Sequence, residues 1–261
     1  MEFDGRVALV TGAGSGIGRA TAGMLARRGA CVGLVGRGRE SLAEAAAEIE
    51  AGGGRAVILP ADVAEPDEIR AATDELVGRA GRLDIVVANA GINGTWAPID
   101  EITVEEWRRT LDINLSGTFF TVRAALPHLK RAGAGSIVVV ASVNGTRVFS
   151  NAGASAYSST KAAQVAFAKM AALELAPHRI RVNVVCPGAI ETNIETTTVK
   201  RGTERLLTPV LYPEGKIPLT GGRPGSADDV AEVIAFLSGD GARHVSGTPV
   251  WIDGAESLLQ G

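Results

Sequence analysis

Val7-Ala8-Leu9-Val10-Thr11-Gly12-Ala13-Gly14-Ser15-Gly16-Ile17-Gly18 decides the fold. Its apolar opening reads as a buried strand, and the stretch Arg19–Arg28 that follows it reads as a helix. Glycines between them permit positive φ and let backbone amides approach a ligand. The helix N-terminus adds partial positive charge. Strand, glycine loop and helix in this register form a cradle for a pyrophosphate. The spacing is not G-x-G-x-x-G: it is Gly12-x-x-x-Gly16-x-Gly18, with Gly14 as an extra and Ser15 and Ile17 inside the loop.

Outward from this unit the same alternation repeats. Further apolar runs are Cys31–Val35, Ala56–Leu59, Ile85–Ala88, Ile137–Ala141, Val182–Val185 and Pro249–Ile252. Such continuous apolarity suits strands buried on both faces of a parallel sheet. Between them lie helical patterns at Arg39–Ala51, Pro66–Ala80 and Ser155–Leu175. The reading is α/β: one doubly wound Rossmann-type domain over residues 1–261, with a parallel sheet of about seven strands and helices on both faces. The stretch 189–222 has no clear period and follows a strand end, where ligands bind in such sheets, so it reads as a substrate-binding lid.

Composition narrows the class. A net charge of -3 gives no electrostatic footprint for nucleic acid. No apolar run reaches the roughly 18 residues of a membrane span, and the charged start Met1-Glu2-Phe3-Asp4-Gly5-Arg6 is unlike a signal peptide. Cys31 and Cys186 sit in apolar runs and read as reduced thiols. The three histidines have no metal spacing, so no metal is expected. Together these features fit a cytoplasmic address.

The second strand ends Leu34-Val35-Gly36-Arg37. An acid here would bind the ribose 2′-hydroxyl of NAD; a guanidinium suits a 2′-phosphate. Arg37 therefore favours NADP(H) over NAD(H). Farther on, Tyr157 and Lys161 stand one helical turn apart and share a face. An ammonium beside a phenol lowers its pKa, which makes Tyr157 a general acid/base.

These residues resemble the short-chain dehydrogenase/reductase family along the whole chain. Its T-G-x-x-x-G-x-G motif is Thr11 to Gly18, its Asn-Ala-Gly is Asn89-Ala90-Gly91, and its Tyr-x-x-x-Lys is Tyr157 and Lys161. Ser142, Asn114 and Pro187-Gly188 match its serine, its helix asparagine and its Pro-Gly turn. The resemblance implies an NAD(P)(H)-dependent oxidoreductase that moves hydride between nicotinamide and a carbonyl or alcohol. It gives Asp62 and Val63 to the adenine, Asn89, Ala90 and Gly91 to the ribose, and Thr192, after Ile190, to the carboxamide. It implies that Asn114 holds a water linking Lys161 to solvent. It also implies a homo-oligomer, a tetramer or dimer. Substrate contacts are expected from Ser142, Asn144, Tyr157 and Ile92, with Asn93 and Trp96 nearby and Leu211 in the lid. Two alternatives compete: a catalytically silent protein that senses nucleotide, and a methyltransferase, in which the Tyr157–Lys161 pair has no role.

Overall fold

β1 (Val7–Thr11) is buried at every position, as expected of a strand covered on both sides. The computed structural model describes residues 1–206, 212 and 215–260. Its other strands are β2 (Cys31–Gly36), β3 (Arg55–Pro60), β4 (Ile85–Ala88), β5 (Gly94–Trp96), β6 (Gly135–Val140), β7 (Ile180–Pro187), β8 (Thr198–Lys200) and β9 (Pro249–Ile252). The helices are α1 (Gly16–Arg27), α2 (Arg39–Ala51), α3 (Pro66–Ala80), α4 (Val104–Leu111), α5 (Gly117–Ala132), α6 (Ser155–Leu175), α7 (Ala227–Ser238) and α8 (Glu256–Gln260).

Seven strands form one sheet in the order β3-β2-β1-β4-β6-β7-β9. Every neighbouring pair in it is parallel. Side chains alternate across it. Val7 and Leu9 join a core with α3, α5 and α6. Ala8 and Val10 join a second core with α1, α2 and α7. Helices thus cover both faces, as the sequence predicts.

The strand order reverses between β1 and β4, and a crevice opens beyond the carboxyl ends of such a pair. Asn89 locks this point. Its Nδ2 donates to the Thr11 carbonyl at 2.8 Å, and the Asn89 and Ala90 amides donate to Thr11 Oγ1 at 3.0 and 3.1 Å.

Two features depart from the sequence reading. α1 starts at Gly16, not Arg19, because packing overrides the weak helix propensity of glycine. Within the expected lid, the described residues 189–206 carry regular structure that the lack of period does not suggest: β8 pairs in parallel with β5, setting Trp96 opposite Lys200. Asn93 clamps the same junction, donating through its amide to Thr197 Oγ1 and through Nδ2 to Thr198 Oγ1. Pro209, Leu211 and Pro213 lie outside the described residues. Among the described residues no helix is long and apolar enough to cross a membrane.

Candidate active site

The glycine loop is as tight as a phosphate cradle requires. Gly12 and Gly16 take left-handed conformations, at φ +67° and +51°. A Cβ on Gly12 would lie 2.8 Å from Asn89 Nδ2, and one on Gly18 would lie 2.2 Å from the Gly12 carbonyl oxygen. Gly14, the extra glycine, has its own reason: a Cβ there would lie 2.5 Å from Ser41 Oγ at the start of α2. Ser15 precedes α1 without making a side-chain cap, so the first-turn amides stay open to an anion. Thr192 closes the other side, with its Cβ and methyl 3.2 Å from where a Cβ on Gly16 would stand. These residues fit a dinucleotide pyrophosphate.

At the end of β2, Arg37 is 60% exposed, with Nη1 3.7 Å from Asp62 Oδ2. Asp62 Oδ1 accepts from the Ala64 amide and closes the turn before α3, whose N-cap is Glu65. Val63 is buried against Gly117. Arg37, Asp62 and Val63 thus stand on the β2–β3 side of the switch point, away from Tyr157.

On the other side, Ser142 follows β6. Its Oγ accepts from the Asn144 amide at 3.1 Å and lines the same cavity as the Tyr157 ring. Tyr157 and Lys161 occupy the first two turns of α6. Lys161 Nζ donates to the Val140 carbonyl at 2.9 Å and lies 5.5 Å from the Tyr157 ring centre. Both residues are buried, and that decides their titration. Burial pushes the phenol above its usual range, against the opposing Ser142 hydrogen bond. Burial pushes the Lys161 ammonium down to about 8, with Cys186 opposing. The lowered phenol expected from an i, i+4 pair is therefore not what the chain alone produces. Desolvation outweighs an ammonium that is turned toward Val140.

Asn114 sits in a π-helical turn, Asp112–Ser116, between α4 and α5. Such turns often mark functional sites. Its side chain clasps the strand exit: Oδ1 accepts from the Ile92 amide at 2.8 Å and Nδ2 donates to the Ile92 carbonyl at 2.9 Å. Nδ2 also donates to Thr160 Oγ1 at 3.1 Å. Its main-chain carbonyl accepts from both Gln164 Nε2 and Thr118 Oγ1, at 2.8 and 2.7 Å. Two donors fill the two lone pairs of a carbonyl oxygen. The sequence offered no signal for Gln164 or Thr160, whose roles come from the packing of α6 on the π turn.

Ser142, Tyr157 and Lys161 open onto a cavity of roughly 580 Å³, within the usual range for small-molecule sites. Asn144 lines it, with Ile17, Asn89, Gly91, Pro187, Gly188, Ile190 and Thr192. Trp96 adds a wall, its ring 6.4 Å from that of Tyr157, and Asn151 and Lys200 complete the rim. Ile92 does not line it: its backbone is held by Asn114 and its side chain packs on the core. Arg147 stacks 3.7 Å above the Trp251 ring. Glu256, in α8, is buried; Oε2 accepts from the Ala189 amide at 3.0 Å and Oε1 pairs with Lys216 at 3.1 Å. No group of three or more His, Cys, Asp or Glu that could hold a metal occurs among the described residues.

Comparison with known proteins agrees with this geometry. Residues 6–202 match the short chain dehydrogenase family. The chain is 37% identical to cyclohexanol dehydrogenase of Acinetobacter sp. (strain SE19), over 97% of this chain and 96% of that one. It is 38% identical to cis-4-hydroxycyclohexanecarboxylate dehydrogenase of Sinomonas cyclohexanicum, over 98% of each. It is 56% identical to a 3-ketoacyl-ACP reductase from Sinorhizobium meliloti 1021, whose crystal structure superposes with a TM-score of 0.94 over 97% of this chain and 99% of that one. Similar structures have been solved with NADH and with NADP. These relatives are dehydrogenases and reductases, which supports hydride transfer and not the catalytically silent alternative. The chain belongs to the short-chain dehydrogenase family, oxidoreductases that use NAD(P) to interconvert alcohols and carbonyls.

Proposed function

We propose that this oxidoreductase acts on a small secondary alcohol or ketone, with Tyr157 as its general acid/base. The observation that carries the reading is that Ser142, Tyr157 and buried Lys161 line one wall of the switch-point cavity. When bound, nicotinamide supplies the hydride acceptor or donor. Tyr157 takes the hydroxyl proton of an alcohol and returns it to a carbonyl oxygen. Ser142 holds that oxygen in line. Lys161 and Thr192 hold the nicotinamide end, and Gly12, Ser15, Gly16, Ile17 and Gly18 the pyrophosphate. Asn114 acts as a clamp on Gly91-Ile92, and residues 189–222 act as the lid. Cyclohexanols and 3-oxoacyl thioesters, the chemistries named for the relatives, form the first substrate panel. A change in nicotinamide absorbance with a member of that panel tests the reading, and silence across the panel with both cofactors counts against it.

For the cofactor, the reading favours NADP(H). Gly36 offers no carboxylate to a 2′-hydroxyl, and exposed Arg37 is free to turn from Asp62 to a phosphate. Arg37→Ala is expected to weaken NADPH about tenfold or more and to leave NADH nearly unchanged. Fluorescence titration checks this. Equal loss for both cofactors, or none, would count against a 2′-phosphate contact.

A second copy of this chain fits the outer face of α5 and α6. Phe119, Met170 and Leu173 are 43%, 58% and 73% exposed there, and Phe119 stacks edge-on against Phe167. Clustered exposed apolar side chains of this kind support an interface there. We expect a dimer or tetramer in the cytoplasm; a monomeric mass by light scattering would remove the interface.

A further inference from the structure

We propose that Lys200 reads a carboxylate on the substrate, at the end remote from the reacting carbinol. This rests on the hydride-transfer reading and narrows its substrates to anionic alcohols and their ketones. The short β5–β8 sheet carries the argument. Its register sets Lys200 opposite Trp96, with Nζ 5.6 Å from the ring centre. The same indole lies 6.4 Å from the Tyr157 ring. One aromatic wall therefore runs from the reacting phenol to an ammonium at the cavity rim. Trp96 is itself fixed, its Nε1 donating to the Asn93 carbonyl at 3.2 Å.

The charges around it single out Lys200. Its neighbours Arg201 and Arg205 pair with Glu106 and Glu101, and Lys216 pairs with Glu256. Arg147 is stacked on Trp251. Lys161 faces Val140. Among the described residues, none places a carboxylate in ion-pair contact with Lys200. Glu191 and Glu195 also line the cavity. Glu191 adjoins Thr192, the residue that meets the phosphate loop, and Glu195 lies in the turn Asn193–Thr197 that leads into β8. An ammonium held against an indole face keeps its donors for an incoming anion. A flat apolar ring between carbinol and carboxylate would lie along Trp96.

Oxidation of cis- and trans-4-hydroxycyclohexanecarboxylate and of cyclohexanol tests this, with kcat/KM measured for the wild type, Lys200→Gln and Lys200→Arg. The wild type is expected to prefer at least one carboxylate isomer over cyclohexanol. Lys200→Gln should shrink that preference about 10- to 100-fold, the worth of one charge-assisted hydrogen bond. The loss should fall mainly on KM, and Lys200→Arg should restore most of the preference. Preference for cyclohexanol, or a ratio unaffected by Lys200→Gln, overturns the proposal. Turnover of a 3-oxoacyl thioester but of none of these alcohols also overturns it, while sparing hydride transfer. Silence on every compound strikes the hydride-transfer reading itself.

Discussion

Tyr157→Phe is expected to abolish measurable turnover while leaving the affinity for NADPH within a few-fold of wild type. Phenylalanine keeps the ring that packs against Trp96 and removes only the hydroxyl that meets Ser142. The substrate oxygen then loses the group that exchanges its proton, while Ser142 can still hold it in place. General acid/base assistance is worth about 10² to 10⁴ in rate. The phosphate loop and Lys161 are untouched, so binding persists. Steady-state rates from nicotinamide absorbance and a parallel fluorescence titration separate the two quantities. Near-wild-type turnover in this variant would remove Tyr157 from the mechanism. Loss of binding together with rate would make its role structural.

Gly18→Ala is expected to have the second-largest effect, and on the opposite quantity. The new Cβ would press on the Gly12 carbonyl oxygen at 2.2 Å and on Asn89 Nδ2 at 2.6 Å. Neither can yield cheaply, since Asn89 Nδ2 also holds the Thr11 carbonyl at the switch point. Overpacking of this kind costs about 1–3 kcal/mol, so the melting temperature should fall by several degrees. The loop should open, and the thermal shift given by NADPH in the wild type should be lost. Gly78 makes the control: it is exposed in α3, with nothing within 4 Å of an added Cβ. Gly78→Ala should stabilise the chain by about 0.5–1 kcal/mol and leave the cofactor shift intact. An intact shift in Gly18→Ala would mean that the loop is not the pyrophosphate site.

The sheet was legible because its strands are continuous apolar runs, and α2, α3 and α6 fall at the boundaries their apolar spacing predicts. The motif residues were legible for a different reason: chemistry restricts them to one residue type at one spacing. What escaped is what depends on distant pairing. β5 and β8 are three residues each and have no pattern of their own; they exist because the segment after β7 returns to the loop after β4. Gln164 reads as one more polar position on a helix until the π turn presents the Asn114 carbonyl to it. The titration of Tyr157 differs from that reading because spacing reports neighbours and says nothing of burial.

The parallel pairing of β5 with β8 also bears on how this scaffold can be re-engineered. Asn93 and Trp96 come from one loop and Thr197, Thr198 and Lys200 from another, yet hydrogen bonds and register make them a single unit. Transplanting the segment after β7 from a relative would strand Asn93 and Trp96 against foreign partners. A graft intended to change the substrate range must exchange both loops together, as one module of two pieces.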